Sequence, residues 1–244
     1  MHPLSVQELL SVWERGLDAR PYERALLLLA AAEADSTKEQ LAAWSLGHRD
    51  DSLLALRECA FGSELNVVAV CPRCTQELEM LLSVPALRAS AASAAGNSEG
   101  EVSLGQYQVR CRPANSGDLM KCRGTDLETI RAELLARCVL EARWNDEPVE
   151  ASALPQEVAE AATQQMAASD PQADIRIALD CSACRHHWEE VFDIVSFFWT
   201  EIDAWSRRLL REVHVLATAY GWRESDVLTL SPARRQIYLA MAQA

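Results

Sequence analysis

A chain that carries C-x-x-C twice, with 106 residues between the pairs, has few ways to fold. The first pair lies in "VVAVCPRCTQELEM" (Cys71, Cys74) and the second in "DCSACRHHWEEVFDI" (Cys181, Cys184). Val68 and Val70 precede the first pair, and Leu78, Met80 and Leu82 follow it; "ADIRIALD" alternates in the same way before the second. A period of two predicts strands, so each pair belongs at a tight turn between two strands. Such a knuckle turns both sulfurs and several backbone N–H groups to one side, which is half of a tetrahedral metal site. Two knuckles complete four-sulfur coordination of Zn²⁺, with Zn–S bonds of ~2.3 Å, and the residues between them become an insertion whose ends the metal ties together.

Other uses of these cysteines fit less well. A thioredoxin-like redox pair sits where a strand runs into a helix, whose N-terminus lowers the thiol pKa; here both pairs run into alternating strand residues. A catalytic zinc keeps one position open to water, and four thiolates leave none. His186 or His187 could replace a cysteine, but both follow a complete pair and read more simply as surface residues at a strand edge. His214 lies one position off the apolar stripe of a long helix. Cys59, Cys111, Cys122 and Cys138 have no partner at ligand spacing, so buried thiols acting as small apolar side chains are expected. The chain has no phosphate-binding glycine loop, nucleophile elbow or zincin motif. Asp50-Asp51 reads as a helix start and Glu189-Glu190 as a solvated strand. No enzyme is expected.

Around the pairs the pattern is mostly helical. Ser5 with Glu8 forms a capping box before "VQELLSVWERGL", Pro21 opens "YERALLLLAAAEA", and Ser36 with Glu39 repeats the box before "EQLAAWSLG". "DSLLALRECAFG" ends at Gly62, a suitable residue just past a helix. Residues 89–100, "ASAASAAGNSEG", lack large apolar side chains and read as a flexible loop. A hairpin at "EVSLGQYQVRCR" follows, then a helix through "DLETIRAELLARCVLEARW" with Leu127, Ile130, Leu134, Leu135 and Cys138 on one face. Pro155 opens the next helix. From Val195 to Tyr220 apolar residues recur every three or four positions without Gly or Pro, predicting one helix ~37 Å long that Gly221 ends. Ser231-Pro232 starts a last helix.

The fold class is therefore α+β, mostly helical, with a small zinc-ribbon-like β-sheet and a long C-terminal helix. The expected divisions are a helical region (1–65), the knuckle sheet with a mixed insertion (66–193), and the long helix with a terminal helix (194–244), joined by the metal into one compact unit.

Charge restricts the partners. The formal net charge of −13 speaks against direct nucleic-acid binding, which needs a concentrated Lys/Arg surface. The acidity is uneven: residues 125–200 hold 15 Asp/Glu against 5 Arg, and residues 201–244 hold 5 against 6. The longest clear apolar run, "ALLLLAAA", is far short of the ~20 residues that cross a bilayer. Glu8 and Glu14 stand where a signal peptide would be basic and then apolar, so a cytoplasmic protein with reduced thiols is expected.

The C-terminal stretch is rich in aromatic and arginine side chains, the composition of interface anchors as well as of a core helix. Trp199, Arg207, Arg211, Tyr220, Trp222, Arg234, Arg235 and Tyr238 are the expected partner-binding residues. This stretch, "LLREVHVLATAYGWRESDVLTLSPARRQIYL" preceded by "CSACRHHWEEVFDIVSFFWTEI", resembles the baseplate proteins of T-even phages and their relatives in prophage and contractile-injection gene clusters. The resemblance is clearest from about Asp170 to Ala240; upstream, "VVAVCPRC" and "LLARCVLEA" carry it. It implies a non-catalytic component or assembly factor of a baseplate hub that binds other baseplate proteins, without nucleic acid or membrane, and enters a phage-like particle. It also implies a zinc knuckle at Cys71, Cys74, Cys181 and Cys184. A zinc-ribbon regulator that contacts nucleic acid or transcription machinery is the alternative.

Overall fold

The computed structural model describes residues 2–89 and 99–242. The chain opens with α1 (Val6–Gly16), α2 (Pro21–Ala32), α3 (Lys38–Ala42) and α4 (Leu46–Phe61). The first capping box forms where the spacing puts it: the Ser5 N–H donates to Glu8 Oε2 at 2.8 Å, and the Glu8 N–H to Ser5 Oγ at 3.3 Å. The second shifts by one residue, since Thr37 and Gln40 have the same spacing as Ser36 and Glu39 and it is they that cap α3. Asp50 and Asp51 do not start a helix. Ser45 caps α4 a turn earlier, its hydroxyl accepting from the His48 N–H, and the two aspartates lie within the helix.

β1 (Glu64–Val70) and β2 (Glu77–Ser83) form an antiparallel hairpin with Val67 opposite Met80, and α5 (Val84–Ala89) follows. The loop expected at 89–100 falls largely on residues 90–98, which lie outside the described residues; Ala89 closes α5 and Gly100 begins the next strand. The insertion holds β3 (Gly100–Leu104), β4 (Tyr107–Cys111), α6 (Ser116–Lys121), α7 (Leu127–Cys138), β5 (Val139–Trp144), β6 (Glu147–Pro148) and α8 (Gln156–Ser169). Its four strands make one antiparallel sheet in the order β3-β4-β5-β6. The helix expected through Trp144 therefore stops at Cys138. "VLEARW" is a strand because it pairs with β4, which places Ala142 opposite Val109 in a small core with Val158 and Ala162 of α8. Leu127, expected on the buried face of that helix, is 70% exposed at its first position.

β7 (Arg176–Asp180) and β8 (His187–Val191) form the second knuckle hairpin, followed by α9 (Ile194–Tyr220), α10 (Glu224–Leu228) and α11 (Pro232–Ala242). At 27 residues α9 is ~40 Å long. Gly221 ends it in the left-handed conformation, φ 67°, with its N–H donating to the Ala217 carbonyl at 2.9 Å.

The architecture is α+β and mostly helical, with small antiparallel sheets and the long helix. One expectation is corrected. Among the described residues the two knuckle hairpins do not merge into a common sheet; each remains two-stranded. Each lays its apolar face on the helical core instead of pairing edge to edge: Leu65 and Val67 of the first hairpin join the same cluster as Ile175, Ile177 and Phe192 around the second. That cluster also contains Leu26, Leu54, Phe198 and Ile202, so it draws on the beginning, middle and end of the chain. The far half of α9 leaves it and packs Val213 and Leu216 against Val227 of α10 and Leu239 of α11.

Candidate metal centre

Both knuckles have the same backbone. The Cys71 N–H donates to the Gln76 carbonyl and the Thr75 N–H to the Cys71 carbonyl, each at 2.9 Å. In the second knuckle Cys181 with His186, and Arg185 with Cys181, repeat both bonds at the same distances. Closing so tight a turn sends the residue after each second cysteine into the left-handed region, with φ 58° at Thr75 and 56° at Arg185. Side chains pay about 1–2 kcal/mol for this conformation, so both knuckles carry the same local strain. Neither cysteine pair leads into a helix N-terminus, the geometry that a dithiol redox centre uses.

The core brings the knuckles together head to head. Cys71 Sγ lies 3.7 Å from Cys184 Sγ, Cys74 Sγ lies 3.5 Å from Cys181 Sγ, and all four sulfurs fall within 4.8 Å of one another. A tetrahedral ion with metal–sulfur bonds of ~2.3 Å requires sulfurs ~3.8 Å apart, so the four side chains fit such an ion. Cys71 and Cys181 are buried, at 0% and 2% exposure, while Cys74 and Cys184 lie toward the surface. His186 and His187 are outside the group: His186 stacks on Trp188 with ring centroids 6.0 Å apart, and His187 Nδ1 lies 3.1 Å from Asp180 Oδ1.

The electrostatics of the four sulfurs favour a cation. The N–H groups of Cys184 and Ala183 favour the Cys181 thiolate and hold it at about 6. Cys74 receives the Gln76 N–H, but the crowding sulfurs of Cys184, Cys181 and Cys71 outweigh it and push Cys74 up to about 12. The Cys181 thiolate therefore forms easily while ionisation of Cys74 is suppressed, a conflict that a divalent ion among the sulfurs relieves. Four thiolates would complete the coordination of a tetrahedral ion and leave no position on it for a reacting water.

The centre is joined directly to the long helix. Past β8 the Phe192 N–H donates to the Ile175 carbonyl at 2.9 Å, and Asp193 caps α9 by accepting from the Val195 N–H at 2.9 Å. Arg57, which nothing in the sequence singled out, secures the other side. It is 2% exposed, its guanidinium donates to both Glu201 oxygens of α9 at 2.8 and 2.6 Å, and it donates to the carbonyls of Gly62 and Glu64 at 2.7 Å. One side chain thus ties α4, the root of β1 and α9 together.

The expected partner-binding residues divide. Trp199 is buried between Gly16 of α1 and the Arg24 guanidinium, which lies 4.4 Å from its ring centroid. Arg235 is 5% exposed, paired with Glu212 at 3.1 Å and donating to the Leu230 carbonyl. Both are occupied by the chain's own packing, because α9 is packed on one face by α1 and α2 and on another by α11. Tyr220, Trp222 and Tyr238 form a ring cluster at the far end of α9, with Trp222 4.8 Å from Tyr220 and 4.9 Å from Tyr238. Arg207, Arg211 and Arg234 are exposed, Arg207 pairing with Asp203 at 2.8 Å.

Residues 23–199 match the family model described as T4 bacteriophage base plate protein. The chain belongs to this baseplate family. The match contains all four cysteines and both knuckles, and it ends near the start of α9. The match takes in residues 23–169, where short segments alone suggested the resemblance, and residues 170–199 of the stretch from Asp170 to Ala240. No curated protein and no solved structure matches the chain. No helix among the described residues is long and apolar enough to cross a membrane.

Proposed function

We propose that this baseplate protein is a non-catalytic component or assembly factor of a phage-like contractile tail or injection apparatus. It acts in the cytoplasm by binding other baseplate or hub subunits, while a structural zinc holds its two knuckles together. The observation that carries the reading is the closed four-thiol centre within the family match: it fits an ion that stabilises a fold and offers no open coordination site. Tetrahedral sulfur coordination suits zinc, and no histidine or carboxylate belongs to the set. The far end of α9 and the adjoining α11 support a docking role, since Tyr220, Ile237 and Met241 are 38%, 56% and 62% exposed and Arg211 and Arg234 of the same two helices are exposed as well.

Co-purification tests the function. The tagged chain, expressed with the baseplate subunits of its own gene cluster, is expected to retain at least one of them, and Arg211→Glu with Tyr220→Ala to weaken that retention. Binding to none, together with normal particle assembly after deletion of the gene, would overturn the reading. Elemental analysis is expected to find one zinc per chain.

A further inference from the structure

Among the described residues β1 has a free edge, along a groove of about 700 Å³ bounded on its other side by β7, the end of β8 and one face of α9. Five consecutive β1 residues, 66–70, line it. The hydrogen-bond register shows what that edge offers. The Cys71 N–H bonds to Gln76 and the Val84 N–H to Ser63, so the odd-numbered residues Leu65, Val67 and Ala69 exchange bonds with β2. In an antiparallel ladder the alternate residues then direct their N–H and C=O groups outward, which places those of Asn66, Val68 and Val70 at the groove. The edge is ~17 Å long at ~3.4 Å per residue.

We propose that this groove accepts an extended segment of another polypeptide as an added strand beside β1, with apolar residues facing inward and Lys or Arg facing outward. Side chains opposite Val67 and Ala69 would enter the groove against Phe197, Ile177 and Val191, which line it. Side chains opposite Asn66, Val68 and Val70 would share the solvent face of the hairpin, where Val68 and Val70 pair with Glu79 and Glu77. The charged residues lining the groove, Glu190, Asp193 and Glu201, are all acidic. Asp193 and Glu201 are already engaged by the α9 N-terminus and by Arg57, so the charge that meets the outward side chains is that of Glu77 and Glu79, which selects Lys or Arg there. The same face of a second copy's β1, with Glu64, Asn66, Val68 and Val70, brings no cation to them. The proposal deepens the binding role given above by specifying one surface and the chemistry of its partner.

The probe is a fluorescein-labelled heptapeptide of alternating lysine and valine, followed by fluorescence anisotropy on the full chain. Saturable binding is expected, with the amide exchange of Val68 and Val70 slowed and that of Val67 and Ala69 unchanged. Val68→Pro removes one outward N–H without breaking a bond to β2, and it is expected to weaken binding at least tenfold, whereas Val68→Thr keeps it. The same peptide with a central proline tests the ladder from the other side, should Val68→Pro fail to fold. Absent binding, equal binding of a glutamate–valine peptide, or indifference to the peptide's proline would overturn the proposal. Dimerisation of the free chain that Val68→Pro abolishes would overturn it in favour of self-pairing. Failure of the peptide with co-purification intact removes the groove alone; failure of co-purification bears on the baseplate role.

Discussion

Replacing Cys184 with serine tests whether the four sulfurs work as one clip. The ion would close a loop of the 106 residues between Cys74 and Cys181. The chain-entropy relation for a cross-link of that span gives about 5 kcal/mol of stabilisation through the unfolded chain. Without a metal, exchanging sulfur for oxygen at a position toward the surface costs under about 1 kcal/mol. The two accounts separate in a urea titration monitored by tryptophan fluorescence, run on wild type and Cys184→Ser with and without EDTA. The clip predicts that EDTA and the substitution each destabilise by several kcal/mol and that EDTA does nothing further to the variant, because both remove the same cross-link. Effects of EDTA and substitution that are each below about 1 kcal/mol, or that add, would refute the reasoning.

Arg57→Ala is expected to cost about 3–5 kcal/mol by leaving Glu201 and two carbonyls without their buried donor, measured as a fall in urea midpoint, and Arg57→Lys to restore only part of it. Asp50 is pushed up to about 6 by burial, against the pull of Arg49, from an ordinary 3.8. Its neutral form is thus favoured in the fold, so its contribution is fully present below about pH 4 and is lost as pH rises through 6; the loss is at most about 3 kcal/mol. Asp50→Asn should flatten that window in melting measured from pH 4 to 7. Arg185→Gly should leave stability unchanged or slightly raised, because glycine accepts φ 56° freely, whereas Arg185→Val should cost roughly 1–2 kcal/mol in the same titration.

Local chemistry was readable wherever it depends on spacing. C-x-x-C between alternating residues required two knuckles, Ser5 with Glu8 required a cap, and the apolar recurrence from Val195 to Tyr220 required a long helix that Gly221 could end. These features follow from bonds and periodicities within a few residues. Choices that depend on distant partners were not readable. Whether "VLEARW" continues α7 or pairs as β5 depends on β4, about thirty residues away. Arg57 looks like any helical arginine until α9 brings Glu201 to it, and Trp199 and Arg235 look like docking residues until α1 and α11 cover them. The sequence alone determined that four cysteines would belong to two knuckles. The tertiary structure alone decided that, among the described residues, the hairpins stay separate, each resting its apolar face on the helical core, so that their sulfurs meet while β1 keeps a free edge. The physical reason is that each hairpin buries its apolar residues against helices drawn from distant parts of the chain, a choice of partners that no local pattern encodes.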